Sequence, residues 1–501
     1  MGAVSIPAPT GGWNARDALD KMDPLDAVEL VNWIPRAGYV ESRGGCQEHV
    51  TGLGGTVESL IPYRGATAEE LLAAADGEIW DITTTGAPVS IKSGLTSDSW
   101  QYQHHTNVVI MTNGADTPQV YDGASIIDIV VTGVTATTLW GCNNFKGRMF
   151  YWPQNSQSVW YAAAGSYQGA LTQFGMSSIA ASGGSLVQML TWTLDSGDGV
   201  DDLAAFIFST GEVLVYQSSD PGSSVDWALV GKFSIGEPIS IRSHARVGST
   251  EVLATKDGYL DIAKAIRGGR YSEESTFSDK IIRAAKDAAL QYSGNAGWQC
   301  LLYPAGNQFI VNVPISSTQS IQHVRDTTNG GWTKFTNWNA RCFAVHDDKL
   351  YFGTSDGKVF LADIGVTDDL LAVQLKATPA FNPLGSRTTR KQLTAVSVIT
   401  NYIYPNKWAL DGLGDFTSTL RSTVQTDNTP SGGSSSWDSS DWDTTDWASS
   451  PSFGDVTALP RAWRNLRAIG YTLTCTIRLN TVSQRIVWFS TGYIFKNAGA
   501  I

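Results

Sequence analysis

The stretch KLYFGTSDGKVFLAD, residues 349–363, decides the fold class of this 501-residue chain. Two apolar segments flank the turn at Ser355-Asp356-Gly357, and apolar residues alternate along the second segment. Alternation of this kind is typical of a β-strand with one buried face, and Asp-Gly supplies the positive φ that a tight turn needs. The stretch therefore predicts a β-hairpin.

The same pattern recurs along the chain. It is found at 71–82, 108–123, 204–217 and 251–263, and the turn glycines lie either about 40–50 residues apart or about twice that distance. The two double gaps predict further hairpins near residues 162 and 308, where the stretches 148–162 and 301–313 have the expected pattern.

Seven hairpins at this period indicate a β-propeller over residues 61–365, because each blade of a propeller carries four strands. Six or seven blades both fit, since one hairpin could belong to a closing strand pair. Unrelated hairpins in β-sandwiches are the alternative. The composition favours a mainly β protein in either case, because Gly and Trp are frequent and only 16% of residues are charged.

Two helices are predicted within this β-rich pattern. One is inserted in the propeller near 278–292, with Ser278 as its N-cap and Ile281, Ile282 and three alanines on one face. The other starts at Asp23-Pro24 and ends at Trp33, before Pro35.

After Gly365 the repeat stops, and residues 366–501 form a different β-rich unit with strands at 393–404 and 471–479. Between these strands lies a long polar loop, 425–455, in which Trp-Asp pairs recur every few residues. Exposed tryptophans are costly unless they contact a partner or line a channel mouth. The candidate gate or intersubunit residues are therefore Trp437, Asp438, Trp442, Asp443, Asp446 and Trp447; folding of the loop onto its own domain is the alternative.

No catalytic or metal-binding pattern can be assembled, so we predict no enzyme, cofactor or metal. The six histidines have no metal-ligand spacing, and the five scattered cysteines form no CxxC pair. The aspartate-rich stretch 195–202 fails the EF-hand pattern and is better explained as a solvated loop. No apolar run is long enough for a transmembrane helix, and the net charge of −12 argues against a surface that grips nucleic acid.

Several blocks in this sequence resemble the nozzle proteins, or tail tubular protein B family, of short-tailed bacteriophages. They are PAPTGGWNARDALDKMDPLDAVELVNWIP at 7–35, GYVESRGG at 38–45, NGADTPQVYDG at 113–123, DDLAAFIFSTGEVLVYQSSDP at 201–221, the stretch 327–363, the Trp-Asp repeat and the ending at 490–501. The blocks span nearly the whole chain and keep the family order. Ser42-Arg43-Gly44-Gly45 replaces the more usual Arg-rich turn.

The resemblance implies a propeller flanked by a platform built from the N-terminal segment 1–60 and the C-terminal domain 366–501. It implies a structural virion protein in the tail, assembled in the host cytoplasm as a homohexameric ring. The expected partners are the tail adaptor, a tail fibre or tailspike, and genomic DNA in transient passage. Residues 425–455 are the first candidate for a gate, with the loops 153–158 and 195–202 as alternatives. A tail-tip propeller that binds host-surface glycan is the alternative function.

Overall fold

The computed structural model describes residues 1–66, 68–195, 200–223, 226–267, 276–401, 408–416, 423–425, 463–481 and 484–498. Strands hold 54% of these residues and helices 5%, which confirms the mainly β class. The chain forms two compact units. The first contains residues 1–45, 328–334 and 365–501, and the second contains residues 46–327 and 335–364. The boundaries predicted from the sequence lie at 60/61 and 365/366.

The N-terminal strands of the first unit are short. They are β1 (Gly2–Pro7), β2 (Gly12–Trp13), β3 (Asp26–Val31), β4 (Trp33–Arg36) and β5 (Tyr39–Ser42).

The second unit is a succession of antiparallel sheets in chain order, which we number 1 to 7. After β6 (Gly45–Val50), sheet 1 contains β7 (Ser59–Arg64), β8 (Glu69–Ala75), β9 (Glu78–Asp81) and β10 (Val89–Lys92). Sheet 2 contains β11 (Gln101–His105), β12 (Val108–Thr112), β13 (Gln119–Tyr121) and β14 (Ile126–Asp128).

Sheets 3 and 4 follow the same plan. The short strand β15 (Val131–Thr132) precedes sheet 3. Sheet 3 contains β16 (Leu139–Phe145), β17 (Arg148–Pro153), β18 (Ser158–Tyr161) and β20 (Thr172–Gly175). The short strand β19 (Gly169–Ala170), between β18 and β20 in the chain, pairs with β15. Sheet 4 contains β21 (Leu186–Asp195), β22 (Val200–Phe208), β23 (Glu212–Gln217) and β24 (Ala228–Ser234).

Sheets 5 to 7 each show three consecutive antiparallel strands. Sheet 5 is β25 (His244–Val247), β26 (Thr250–Thr255) and β27 (Gly258–Asp261), followed by α1 (Ile262–Arg267) and α2 (Ile282–Tyr292). Sheet 6 is β28 (Gln299–Tyr303), β29 (Gln308–Pro314) and β30 (Ser320–Asp326), and β31 (Trp332–Phe335) follows it. Sheet 7 is β32 (Cys342–His346), β33 (Lys349–Gly353) and β34 (Val359–Ile364).

The described C-terminal part of the first unit contributes further strands, several of them longer. They are β35 (Thr367–Asp368), β36 (Leu371–Pro379), β37 (Lys391–Thr400), β38 (Trp408–Gly414), β39 (Thr423–Gln425), β40 (Arg464–Gly470), β41 (Leu473–Thr481) and β42 (Val487–Asn497). One sheet has the order β4-β5-β42-β37-β40 with β1 on β42, and β41 lies between β36 and β38 in another. Apolar residues of both sheets share one core, which includes Trp33 and Trp488.

All seven predicted hairpins are present. In sheets 1 to 5 and in sheet 7 the predicted hairpin joins the second and third strands. In sheet 6 it joins the first and second strands instead, with Tyr303 opposite Gln308. The turn glycines adopt the expected positive φ, for example 80° at Gly211, where a methyl group would collide with the carbonyl oxygen of Ile235.

Apolar side chains fill the spaces between successive sheets, and sheet 7 packs on sheet 1. The cluster between these two sheets joins Leu60 and Leu71 of sheet 1 to Ala344 and Val359 of sheet 7. The strand β6 lies at the edge of sheet 7, beside β34, although it precedes sheet 1 in the chain. The two ends of the second unit are therefore held in one sheet.

One of the two predicted helices is present and the other is wrong. A 3-10 turn at Asp279–Ile281 leads into α2, which agrees with the helix expected at 278–292. Ser278 does not cap it, because its hydroxyl accepts a hydrogen bond from the backbone N–H of Tyr259. The segment from Asp23 to Trp33, for which a helix was expected, instead contains β3 and the first residue of β4. Pairing of β3 with β36 buries Ala27, which outweighs the local helix signals.

Within the described ranges, no helix is both long enough and apolar enough to cross a membrane.

Candidate functional site

The six candidate gate residues, Trp437, Asp438, Trp442, Asp443, Asp446 and Trp447, lie outside the described residues, as does almost all of the loop 425–455. Of the two alternative gate loops, 153–158 forms the connection between β17 and β18. The loop 195–202 is described only at its ends, where Asp195 closes β21 and Val200 opens β22.

A cavity of about 270 Å³ lies at the centre of the seven sheets of the second unit. The first strand of every sheet contributes to its wall, and we call it the axial cavity. One lining residue from each first strand, in chain order, is Leu60, Gln101, Cys142, Gln188, His244, Gln299 and Cys342. Strands from seven distant stretches of the chain therefore converge on one small space.

Polar side chains near the axial cavity bind the backbone of the next sheet. The first strand of each sheet has an edge that faces the cavity, and its peptide groups need other partners when they are buried. Asn143 Nδ2 donates to the carbonyl of Met189 at 2.6 Å, and Gln188 Nε2 donates to that of Ile241 at 3.2 Å. Gln299 pairs twice with the backbone of Phe343, at 2.9 and 2.8 Å.

The closing contact of this series runs from sheet 7 back to sheet 1. Cys342 Sγ lies 3.3 Å from the carbonyl oxygen of Val57 and donates to it. Arg341 Nη2 donates to Glu58 Oε1 at 2.7 Å. Burial raises the pKa of the Cys342 thiol to about 12, so the group remains protonated and can donate.

Arg242 crosses the centre of the second unit. It immediately precedes sheet 5, yet the hydrogen bonds of its guanidinium reach residues in, or directly before, the first strands of sheets 1 and 2. Its guanidinium donates to the carbonyl of Glu58 at 2.6 Å, to Ser59 Oγ and the carbonyl of Trp100 at 2.7 Å each, and to Gln101 Oε1 at 3.2 Å. The side chain therefore ties opposite sides of the unit together.

The axial cavity differs in charge from the rest of this acidic chain. Its described lining residues include Arg242 and His244 but neither Asp nor Glu. All four acceptors that bind the Arg242 guanidinium are uncharged oxygens, and burial lowers the pKa of the group. His244 Nδ1 lies 3.4 Å from Glu251 Oε2, a carboxylate that is not part of the lining. The described lining therefore carries the guanidinium of Arg242 without a carboxylate of its own, and the nearby carboxylate of Glu58 acts on that charge.

Three lining side chains also carry polar atoms without a partner in the described part of the chain, the indole N–H of Trp100 and the amide groups of Gln101 and Gln188. Gln101 Nε2 and Gln188 Oε1 are buried and make no hydrogen bond among the residues that the structure describes. Gln101 is 9% exposed and Gln188 1%. A buried amide group without a partner costs about 1–3 kcal/mol, so both atoms lower the stability of the second unit.

The other titratable residues do not assemble into a catalytic or metal site. Over the described ranges, no three His, Cys, Asp or Glu side chains are close enough to share a metal ion. All five cysteines are buried and unpaired by disulfides. The adjacent His104 and His105 contact different neighbours, Tyr102 and Tyr167 respectively.

Tryptophans of the second unit serve its core. None of those described is exposed, and Trp100, Trp192 and Trp298 are almost completely inaccessible. Solvent-facing Trp-Asp pairs repeated once per sheet, which a glycan-binding propeller would be expected to show, are not found among the described residues.

Two histidines flank Tyr351 where sheet 7 meets sheet 1. The rings of His49 and His346 lie 5.0 and 6.3 Å from that of Tyr351. His49 Nε2 donates to the carbonyl of Ile82 at 2.6 Å, and the Thr85 hydroxyl donates to its Nδ1 at 3.1 Å, an arrangement that uses the neutral ring. Burial lowers the pKa of both histidines below the ordinary value of 6.5.

Stability is therefore expected to fall between pH 7.5 and pH 5.5. The unfolded chain binds more protons than the folded chain at these two sites as the pH drops through 6.5, so unfolding becomes more favourable. Each histidine can contribute at most about 1.4 kcal/mol over the unit from pH 6.5 to 5.5. Urea unfolding at both pH values tests this expectation. The double variant H49Q/H346Q should show a shallower dependence, and an unchanged slope would contradict the assignment.

The turn glycines predicted the hairpins but not the axial cavity. They lie where one strand of each hairpin turns into the next. The cavity residues lie on the first strands, where Gln101, Cys142, Gln188, Gln299 and Cys342 recur at spacings close to those of the glycines. The recurrence of Gln or Cys near the start of a repeat is the one trace of these residues in the sequence.

The chain matches no known family by its sequence, and no curated protein matches it. Its structure is similar to that of the computationally designed Ika8 protein, with a TM-score of 0.36 and 11% identity over 67% of this chain and 96% of that chain. It is also similar to a chain of the Mitotic Checkpoint Complex, with a TM-score of 0.39, 11% identity and coverage of 71% and 100%. A complex of BBS1N with ARL6DN gives a TM-score of 0.39, 10% identity and coverage of 64% and 98%. At these TM-scores the likenesses carry no argument about function.

Proposed function

We propose that the chain is a structural protein of the distal tail, or nozzle, of a short-tailed bacteriophage. In this proposal six copies form a ring that docks to the tail adaptor and to a fibre or spike, and the ring channels DNA during ejection. The second unit acts as a seven-bladed propeller, with sheets 1 to 7 as its blades. The first unit acts as the platform.

The observation that carries the proposal is that the N-terminal and C-terminal segments fold together into one unit. Residues 1–45 and 365–501 share one core, and residues 46–364, apart from 328–334, make up the other unit. A propeller inserted between two halves of one platform is the arrangement that the resemblance to nozzle proteins implies. The strand β6 at the edge of sheet 7 supports a closed propeller, because closure of this kind protects the last blade's edge.

The axial cavity constrains where DNA would pass. A space of about 270 Å³ crossed by Arg242 cannot admit a duplex, whose major groove alone is about 12 Å wide. A DNA channel in this protein must therefore be formed by several subunits around a common axis. Six copies carry six times −12, or −72, formal charges. An acidic wall would repel the DNA backbone and limit adhesion during passage.

The first test is immunogold electron microscopy of the parent virion with antibody raised against this chain. Label at the distal end of the tail is the expected result. Label on the capsid or on the fibres, or none on intact particles, would overturn the proposal. Label at the fibres would also direct attention to glycan binding, which arrays of host-surface glycans can measure directly.

A deletion tests the proposed gate. Removal of residues 432–449 is expected to yield particles that lose their DNA, while the second unit, which does not include these residues, stays folded. Packaged DNA is measured by nuclease protection, and folding of the purified variant by thermal unfolding. A matched control shortens the alternative gate loop 153–158. Full particles with normal DNA retention after the first deletion would assign gating to another segment.

A further inference from the structure

Three leucines differ from the others because water surrounds most of each side chain. Leu370 is 89% exposed, Leu290 84% and Leu371 72%, whereas every other leucine whose exposure the structure describes is at most 40% exposed. Leu370 and Leu371 are adjacent at the tip of a hairpin in the first unit, and Leu290 lies on α2 in the second. Scattered apolar residues are normal on a protein surface, but a pair of leucines at a hairpin tip is a candidate contact for another protein.

The hairpin between β35 and β36 holds one of these leucines in a costly conformation. Asp368 pairs with Leu371, so Asp369 and Leu370 form a two-residue turn, in which their φ angles are 47° and 71°. Glycine and asparagine adopt positive φ readily, but leucine does not, because its Cβ crowds the backbone. Strain of this kind is concentrated at functional sites, and here it presents an apolar side chain to solvent. We call residues 368–371 the leucine hairpin.

The base of the leucine hairpin is fixed by two close contacts. Arg43 donates to both carboxylate oxygens of Asp368, at 2.7 and 2.6 Å. A methyl group on Gly45 would lie 1.8 Å from the carbonyl oxygen of Thr367, so only glycine fits beside this hairpin. The exposed leucines therefore stand on a preorganised support, and a partner that buries them orders little additional backbone.

The exposed face of α2 offers a complementary surface. Lys286, Asp287 and Leu290 are exposed there, while three alanines on the opposite side of the helix are buried. Residues three and four apart on a helix are neighbours, so Asp287 and Lys286 flank Leu290. Asp369, which is exposed beside the two leucines of the hairpin, matches the lysine in charge. The two surfaces thus agree in both apolar and charged groups.

We propose that the leucine hairpin of one copy of this chain docks on α2 of a neighbouring copy. Leu370 and Leu371 of the first copy are then buried against Leu290 of the second, and Asp369 lies beside Lys286. The two surfaces are different, so the contact is head-to-tail, and repeated head-to-tail contacts close into a ring where the rotation permits. The inference rests on the proposed function only for the number of copies in the ring.

Disulfide cross-linking of the purified full chain tests the contact. All five native cysteines are buried, so cysteines introduced on the surface should react selectively. Under mild oxidation, the double variant L290C/L370C is expected to give a ladder of linked chains on a non-reducing gel. Each single variant should give no ladder, because a head-to-tail contact does not bring two identical positions together. The matched control is V130C/L370C, since Val130 is also exposed in the second unit.

Sedimentation velocity of the full chain gives the second readout. Leu370→Gly removes the apolar side chain and relieves the turn, so it should weaken self-association about tenfold or more without lowering the melting temperature. Asp369→Lys should also weaken it, and Lys286→Asp in the same chain should restore it. Asp348→Lys is the control for charge, because Asp348 is likewise exposed in a two-residue turn with positive φ.

The outcomes separate this contact from the proposed function. A ladder from L290C/L370C together with weaker association of Leu370→Gly supports the docking. A chain that remains monomeric overturns it. Self-association without a ladder also overturns it but leaves the nozzle proposal in place. A ladder combined with immunogold label away from the tail would retain the contact and reject the nozzle. A dimer held by two such disulfides would support the contact and count against the six-copy ring.

Discussion

Substitution of Arg242 by methionine is expected to lower the free energy of unfolding by about 3–5 kcal/mol. Methionine keeps much of the side-chain volume but donates no hydrogen bond. It therefore leaves the carbonyls of Glu58 and Trp100, together with Gln101 Oε1, without their guanidinium partner in a buried setting. The second unit would also lose the side chain that joins its opposite sides.

Thermal and urea unfolding measure this effect. Arg283→Met is the matched control, because Arg283 is exposed on α2 and the same substitution there should change stability by no more than about 0.5 kcal/mol. Arg242→Lys should lie between the native chain and Arg242→Met, since an ammonium group has fewer donors and lacks the planar fork. Equal stability of the two methionine variants would show that Arg242 is not a structural tie.

The second large effect is expected in the first unit, at the buried ion pair of Arg43 and Asp368. The guanidinium binds both carboxylate oxygens, at 2.7 and 2.6 Å, and its Nε donates to Asn32 Oδ1 at 2.9 Å. Arg43 is 1% exposed and Asp368 6%. Removal of one partner from such a pair leaves a buried charge without compensation, which costs about 3–5 kcal/mol. Asp368→Asn and Arg43→Met are both expected to lose stability on this scale.

A double-mutant cycle separates the pair from its surroundings. The variant R43M/D368N should be more stable than the sum of the two single losses predicts, because no unpaired charge remains. The exposed pair of Lys349 and Asp347, at 2.8 Å, is the control and should show far weaker coupling, because solvent screens it. Strict additivity at the Arg43 pair would refute the coupling. The pair joins the N-terminal segment to the C-terminal one, so these variants also test whether the first unit depends on both chain ends.

The fold was predictable from the sequence where local signals and tertiary packing agree. Each hairpin has its own turn residues and alternating strands, so all seven could be recognised from short stretches. The segment 23–33 was wrongly predicted as a helix, since Asp23-Pro24 is a good helix start but β3 gains more from pairing with β36. Likewise, Ser278 accepts a hydrogen bond from the backbone of Tyr259 in β27 instead of capping its helix, a choice that no local pattern reveals.

The candidate site was less predictable for a physical reason. The axial cavity exists only where seven strands that are far apart in the chain come together, and no single repeat contains it. Arg242 could not be recognised from the residues beside it in the sequence. Its hydrogen-bond partners Glu58, Ser59 and Trp100 lie far from it along the chain. Repeats of Gln and Cys on the first strands become meaningful only once these strands are known to be innermost.

The placement of β6 has a consequence for biosynthesis. This strand, at residues 45–50, leaves the ribosome before any of sheets 1 to 7, yet its neighbour β34 at 359–364 emerges after nearly all of them. Contacts between such distant segments form slowly, because a long loop must close first. A nascent chain thus presents an unpaired strand throughout most of its synthesis, during which aggregation is a hazard. Sheet 7 can be completed only after β34 has been synthesised. Any product that stops short of residue 359 retains two open sheet edges and should depend on chaperones to stay in solution.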